Sequence, residues 1–198
     1  MKSTMRIFSV LIAAFLLLAS TPQVKSQEAY EEGDILLNAG ISFGTYGYGF
    51  VGNSSFTVPI TISGEYGIHE YFSVGAMLGY AKWSYDWGYL GDNYEYSWTY
   101  ISFGARGSFH YLPLANEHLD FDIDTEKFDF YLSVFLGLEN RNYKTNYDYL
   151  NNYYSNDTRA RLGTFAGFKY MFSDNFGMFL EGGAHAFGYL TLGASLKF

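Results

Sequence analysis

The chain contains no cysteine. That excludes disulfides, a thiolate nucleophile, thiolate metal sites and a lipid-modified N-terminal cysteine. Basic residues are scarce, with 12 Lys and Arg against 20 Asp and Glu and a formal net charge of -8. A chain this acidic is a poor polyanion binder, so nucleic acid is excluded as a partner. Beyond the first nineteen residues no apolar run approaches the length of a membrane-crossing helix. What abounds instead is aromatic: 20 Tyr, 19 Phe and 3 Trp, with 22 Gly. That composition favours strands over helices.

The N-terminus is a separate unit. Lys2 and Arg6 precede the apolar stretch "IFSVLIAAFLLLA" (Ile7 to Ala19), and "VKS" places Val24 and Ser26 ahead of Gln27. This is the form of a secretory signal peptide over residues 1–26, leaving a mature domain over 27–198. The alternative is an uncleaved anchor. Removing Lys2, Arg6 and Lys25 takes the net charge to -11.

The mature part alternates with period two. We read eight strands, at about 34–44, 55–66, 72–83, 96–110, 128–140, 158–172, 176–186 and 189–198. One phase is apolar, as in Phe128, Phe130, Leu132, Val134, Leu136 and Leu138. The other holds Gly, Ser, Thr and Asn together with charges: Glu65, Arg106, Glu139, Arg161, Lys169, Glu181 and Lys197. A soluble lipocalin-like barrel would bury the apolar phase. Two features argue for the reverse arrangement. The second phase is mostly small residues, which suit a narrow barrel interior better than a water-facing surface. Moreover, Tyr66, Phe72, Phe109, Phe128, Phe130, Tyr170, Phe172, Phe176 and Phe198 all fall at one end, as an interfacial aromatic girdle would. The expected fold is an all-β, eight-stranded, antiparallel up-and-down transmembrane β-barrel. It is expected to act as a monomer.

The C-terminal "LTLGASLKF" carries Thr191, Gly193, Leu196 and the terminal Phe198. With "GDILLNAGISFG", "PITISGEYGI", "FGARGSFHY" and "NFGMFLEGGA", it resembles the small outer-membrane β-barrels of Gram-negative bacteria, the porin-like OmpA/OmpX type. The resemblance implies placement in the outer membrane, with lipid and lipopolysaccharide around the barrel and both termini periplasmic. It also implies that the barrel-assembly machinery reads the last strand. It supplies no activity, because that family is functionally diverse.

The even strand number puts "GIHEY", residues 111–127 and "SDN" at the periplasmic turns. The middle one is long and could hold a hairpin. The outward loops are "TYGYGFVGNS", "DWGYLGDNYEY", "NYKTNYDYLNNYYSND" and a link near Phe187-Gly188. The second and third are rich in Tyr, Asn and Asp, which suits adaptable contacts with an extracellular ligand, or simple residence among headgroups.

Inward charges must pair, since an unpaired buried ion costs several kcal/mol. Hairpin register sets Glu139 near Arg159 and Arg161, and Glu181 near Lys169. A salt-bridged, side-chain-filled interior is the expected outcome, and a narrow solute pore is the alternative. Enzyme signals are weak. His185 has Glu181 on its face but no serine beside it, and His69, His110 and His118 fall at the periplasmic end. "DFDIDTE" is spaced like a calcium loop, yet its sixth position is Thr125 and its twelfth Tyr131. The sequons at Asn53 and Asn156 carry no weight in a bacterial protein. No metal or cofactor is expected.

Overall fold

The computed structural model describes residues 28–43, 54–89, 92–119, 122–145, 156–184 and 188–198. The segment expected as a signal peptide, most of the first and third of the loops expected to face outward, and His185 lie outside the described residues.

The strands are β1 (Ile35–Phe43), β2 (Ser54–His69), β3 (Phe72–Tyr89), β4 (Asp92–His110), β5 (Phe128–Thr145), β6 (Asp157–Ser173), β7 (Phe176–Ala184) and β8 (Leu190–Lys197). Each pairs antiparallel with the next, and β8 pairs with β1, so the eight form a closed barrel. Closure leaves no edge strand among the lower ladders, which is what hydrocarbon demands of backbone N–H and C=O groups. The seam is completed by Phe198, whose N–H donates to the Ile35 carbonyl at 3.0 Å and whose carbonyl accepts from Ile35 at 2.9 Å.

Burial follows the alternation and is inverted relative to a soluble protein. Leu136 is 62% exposed and Leu162 66%, whereas Glu181 and Glu139 are each 2% exposed. Apolar side chains therefore face out and charges face in, which decides against the soluble barrel. The interior accommodates large rings by lining them with glycine. A Cβ on Gly167 would lie 2.1 Å from the Tyr131 ring, and one on Gly193 would lie 2.5 Å from Phe179.

β3, β4 and β5 outrun the sequence expectation at the loop end, reaching Tyr89, Asp92 and Thr145, whereas β1 and β7 stop short of it. β1, β7 and β8 have 9, 9 and 8 residues, but β2 to β6 have 16 to 19. A bilayer needs only about 9–11 residues per tilted strand. The stretch "DWGYLGDNYEY", expected as a loop, is mostly ladder, with Asp86↔Glu95 and Tyr89↔Asp92 in register. The apolar outward phase ends at the Tyr80↔Ile101 pair. It gives way to Lys82↔Thr99 and Ser84↔Ser97. Apolar alternation marks only the part of a strand that meets lipid, so it missed the extension.

At the opposite end, where Glu28 and Phe198 lie, two hairpins close through two-residue turns, His69↔Phe72 and Ser173↔Phe176. The 111–127 connection is not a hairpin but holds a helix, α1 (Leu112–Leu119). Pro113 falls in its first turn, where a missing N–H costs nothing. Leu112 and Ala115, three apart, form its buried face. Asn116 fixes the returning chain: its Nδ2 donates to the Ile123 carbonyl at 2.8 Å, and its Oδ1 accepts from Ile123 N–H at 3.3 Å.

Candidate functional site

The notable chemistry lies inside the barrel and is arranged in tiers. At the terminal end, residues 28–34 fold across the mouth as a strap. Ala29 N–H donates to Thr125 O at 2.7 Å, and Gly33 N–H to Gly67 O at 2.9 Å. Gly33 has φ 93°, a left-handed conformation that glycine adopts at no steric cost. Tyr30 is 4% exposed and its ring stacks on His110 at 3.5 Å with a 5° interplanar angle. Its hydroxyl reaches the carbonyls of His69 and Phe72, at 2.7 and 2.6 Å. Lys197, inward on β8, donates to the Glu28 carbonyl and lies 3.7 Å from Asp34. Burial is the main influence on Asp34 and outweighs the nearby Lys197 ammonium, so its carboxyl titrates above the usual value of 3.8.

Above the strap lies a polar network. Arg106 is its centre, with Nε 2.9 Å from Glu65 Oε1 and Nη2 2.7 Å from Glu181 Oε1. The guanidinium also sits 4.8 Å from the Phe165 ring centroid and 5.7 Å from that of Tyr131. Tyr131 donates to Glu181 at 2.9 Å, and Ser73 and Ser108 donate to Glu65. Every charge thus has an opposite charge and additional hydrogen bonds, the condition under which buried ions persist.

The second branch joins His110, Asp129 and Lys169. His110 Nδ1 lies 2.9 Å from Asp129 Oδ1, and Lys169 Nζ lies 3.6 Å from Asp129 Oδ2. The expected neighbour of Lys169 was Glu181. The register instead sets Lys169 opposite Phe179, with Glu181 opposite Gly167 two residues on. Glu181 binds Arg106, and Asp129 takes Lys169. Asp129 and Tyr131 were missed as site residues, although both fall in the inward phase of β5.

Ser73 Oγ is 3.0 Å from His110 Nε2. Ser73, His110 and Asp129 therefore form the sequence of contacts seen in hydrolytic triads. Here the Ser73 hydroxyl donates to Glu65 at 3.0 Å, all three residues are at most 3% exposed, and Tyr30 covers the imidazole face. The set links the strap to the network rather than presenting a nucleophile.

A less polar tier follows: Met77, Ala81, Tyr100, Phe135 and Phe165, with Trp83 and Trp98 packed against it. Near the loop end, Glu139 gathers Arg159 at 2.6 Å, Arg141 at 3.3 Å and Arg161 at 3.6 Å. Glu139 thus lies beside Arg159 and Arg161, as hairpin register indicates. Arg141 was not anticipated, because β5 was expected to end at 140.

The residues expected to form an assembly signal at the C-terminus have contacts of their own in the barrel wall. Thr191 Oγ1 lies 2.7 Å from Ser42 Oγ, Gly193 backs the Phe179 ring, and Leu196 is fully buried although it lies in the outward phase beside Leu37 and Phe176. Outside, the aromatics of the terminal end touch in sequence. Phe72 lies 5.1 Å from Phe109, Phe128 5.1 Å from Tyr170, Tyr170 5.2 Å from Phe172, and Phe172 5.9 Å from Phe176. Tyr111 joins Phe109 to Phe130, at 6.5 and 6.2 Å, and was not anticipated. Tyr66 is 52% exposed on the same outer face, opposite Ile35 of β1.

A closed eight-stranded barrel with an apolar exterior and a charged interior has the architecture of the small outer-membrane barrels. No family model matches the chain, and no curated protein matches it. Solved structures do. The outer membrane protein OprG from Pseudomonas aeruginosa is similar at 13% identity, over 85% of this chain and 97% of that one, with a TM-score of 0.53. Ail of Yersinia pestis, crystallised with the heparin analogue sucrose octasulfate, is 15% identical over 84% of this chain and 99% of its own, with a TM-score of 0.49. The Escherichia coli outer membrane protein W is 11% identical over 85% of this chain and 100% of that one, with a TM-score of 0.39. The likeness to OprG is one of fold.

Proposed function

We propose that the protein is a monomeric outer-membrane barrel that serves the cell envelope structurally and through its outward loops, and that it conducts no solute. Both termini face the periplasm. Lipid and lipopolysaccharide surround the belt, the barrel-assembly machinery reads the strand ending in Phe198, and the loops rich in Tyr and Asn meet an extracellular ligand. One observation carries this reading. Among the described residues the interior is occupied by its own side chains at every tier, with Arg106, Glu65 and Glu181 at most 4% exposed, and Tyr30 across the terminal mouth. No enzymatic role is included, since the Ser73–His110–Asp129 set is sealed on every described side.

Conductance of the purified protein in planar bilayers tests the reading. Silence or brief flickers are expected. Steady large openings would overturn the filled interior in favour of a pore.

A further inference from the structure

Asp129, His110, Ser73 and Glu65 form one line of contacts beneath the strap. His110 Nδ1 lies 2.9 Å from Asp129 Oδ1, His110 Nε2 lies 3.0 Å from Ser73 Oγ, and Ser73 Oγ lies 3.0 Å from Glu65 Oε2. All four residues are at most 3% exposed, so solvent supplies no missing donor. The three contacts need three protons. Ionised carboxylates only accept, serine supplies one proton, and a neutral imidazole supplies one. With those two alone, one contact is left as a pair of facing lone pairs, and a buried hydrogen bond left unmade is costly. If Nδ1 alone carries the ring proton, Ser73 must serve Nε2 and Glu65 at once. If Nε2 alone carries it, the bare Nδ1 faces both oxygens of Asp129, at 2.9 and 3.0 Å.

The charges count the same way. Among the described residues buried on the strap's side of the apolar tier, Glu65, Glu181 and Asp129 are acids, and Arg106 and Lys169 are bases. Asp34 and Lys197 offset one another at the mouth. With a neutral imidazole the set carries one negative charge in excess, and with one further proton it balances. Glu65 faces the Arg106 guanidinium at 2.9 Å and Asp129 the Lys169 ammonium at 3.6 Å, so each carboxylate has a cation that favours its charged form. The imidazole is left to hold the proton. Its face carries the Tyr30 ring, parallel at 3.5 Å, where a cation is attracted by the aromatic quadrupole.

We propose that His110 is a proton-binding site, an imidazolium sealed in the barrel, and that this proton latches the Tyr30 strap. The other groups around the ring are Tyr131 of β5, centred 5.6 Å away, and, through Asp129, Lys169 of β6. Beyond Ser73 of β3 stand Glu65 of β2 and Arg106 of β4, and beyond Tyr131 stands Glu181 of β7. Asp34 and Lys197 of β8 flank the strap. With the strap docked, water is shut out and the third proton completes the line. With the strap lifted, water satisfies the same groups without it. The docked state therefore binds more protons, and docking weakens as pH rises. The inference goes beyond an envelope role and requires only the folded barrel, whatever its orientation or conductance.

The test uses the full barrel, with isotope-labelled histidine, folded in phospholipid nanodiscs. Nitrogen chemical shifts of the ring tell a protonated nitrogen from a bare one, and His110→Phe identifies the His110 signals. At pH 7 both His110 nitrogens should be protonated, and their protons should exchange with water far more slowly than those of the exposed His69 and His118. Glu65→Gln, whose amide can donate toward Ser73, removes the need for the third proton and should leave one His110 nitrogen bare. In parallel, amide exchange reads the strap at Gly33, whose N–H donates to Gly67. Its protection factor should fall about tenfold or more from pH 7 to pH 9. His110→Phe keeps a ring for Tyr30 but no proton site, and should cut that fall to less than about twofold, whereas Asp34→Asn should retain it. Heat-modifiable gel mobility confirms that each variant is folded. A bare His110 nitrogen in the parent protein at pH 7 overturns the proton site. Protection that does not fall in the parent, or falls as far in His110→Phe, overturns the latch.

Discussion

Replacing Arg106 by Gln removes the cation that two buried carboxylates share. The Glu65 and Glu181 side chains are 2% and 1% exposed, at 2.9 and 2.7 Å from the guanidinium. After the substitution Glu181 keeps Tyr131 as a donor, and Glu65 keeps Ser73 and Ser108. Glu65 keeps no partner of opposite charge among the contacts described above. Breaking a buried pair from one side costs about 3–5 kcal/mol, because the remaining charge stays buried and uncompensated. That corresponds to roughly a 10²- to 10⁴-fold rise in the unfolding constant. The loss is a property of the stranded charge and not of the arginine's bulk. The triple variant Arg106→Met, Glu65→Gln, Glu181→Gln should therefore recover to within about 1–2 kcal/mol of the parent, as apolar or neutral replacements of whole ionic groups do. Urea titration of the protein in phospholipid vesicles, read by tryptophan emission, gives all three numbers. A loss below about 1 kcal/mol for the single variant, or a triple variant no better than the single, would show that water reaches the network and that the interior is not sealed.

Tyr30→Ala should free the strap without opening the barrel, raising amide exchange of residues 29–33 by roughly 5- to 150-fold for the loss of a stacked pair and a hydrogen bond. Unchanged exchange would mean that the backbone contacts alone hold it. The strap should also respond to pH. Burial raises the Asp34 and Glu28 carboxyls above their ordinary values of 3.8 and 4.5, so the docked state binds protons more tightly than the free one. Docking is then weaker once these groups ionise and strengthens as pH falls through the raised values toward the ordinary ones. Exchange protection of Gly33 compared at pH 7 and pH 4 checks the sign, and Asp34→Asn should flatten the slope. Gly167→Ala places a Cβ 2.1 Å from the Tyr131 ring, which Glu181 holds in place, and should destabilise the barrel by about 1–3 kcal/mol in the same urea titration. Phe198→Ala should lower the yield of heat-modifiable protein in cells more than it lowers stability in vesicles. Equal losses would place the residue's role in the folded state.

Much of this molecule was written in period two. Leu132, Val134, Leu136 and Leu138 announce the outer face of β5, and the same alternation sets Ser133 and Glu139 inside, because successive strand side chains point to opposite faces. Adjacent hairpin strands fix short-range partners, so Glu139 with Arg159 and Arg161 was legible without coordinates. The ends of strands were less so. Once β3 and β4 leave the belt, Lys82 and Ser84 replace the apolar phase and the ladder continues under no hydrophobic constraint. Helix α1 has only eight residues, too few for a periodic signal to stand out.

The sequence by itself determined the closed sheet, its inside and outside, and the need for charges within to find opposites. Each of these follows from local alternation meeting a solvent that cannot hydrogen-bond. Only the tertiary structure decided who meets whom across the barrel. Arg106 on β4 reaches Glu181 on β7, and Tyr30 in the strap covers His110. Those pairings depend on how closure staggers eight strands around a narrow interior. The stagger is a property of the whole circuit and is encoded in no single hairpin.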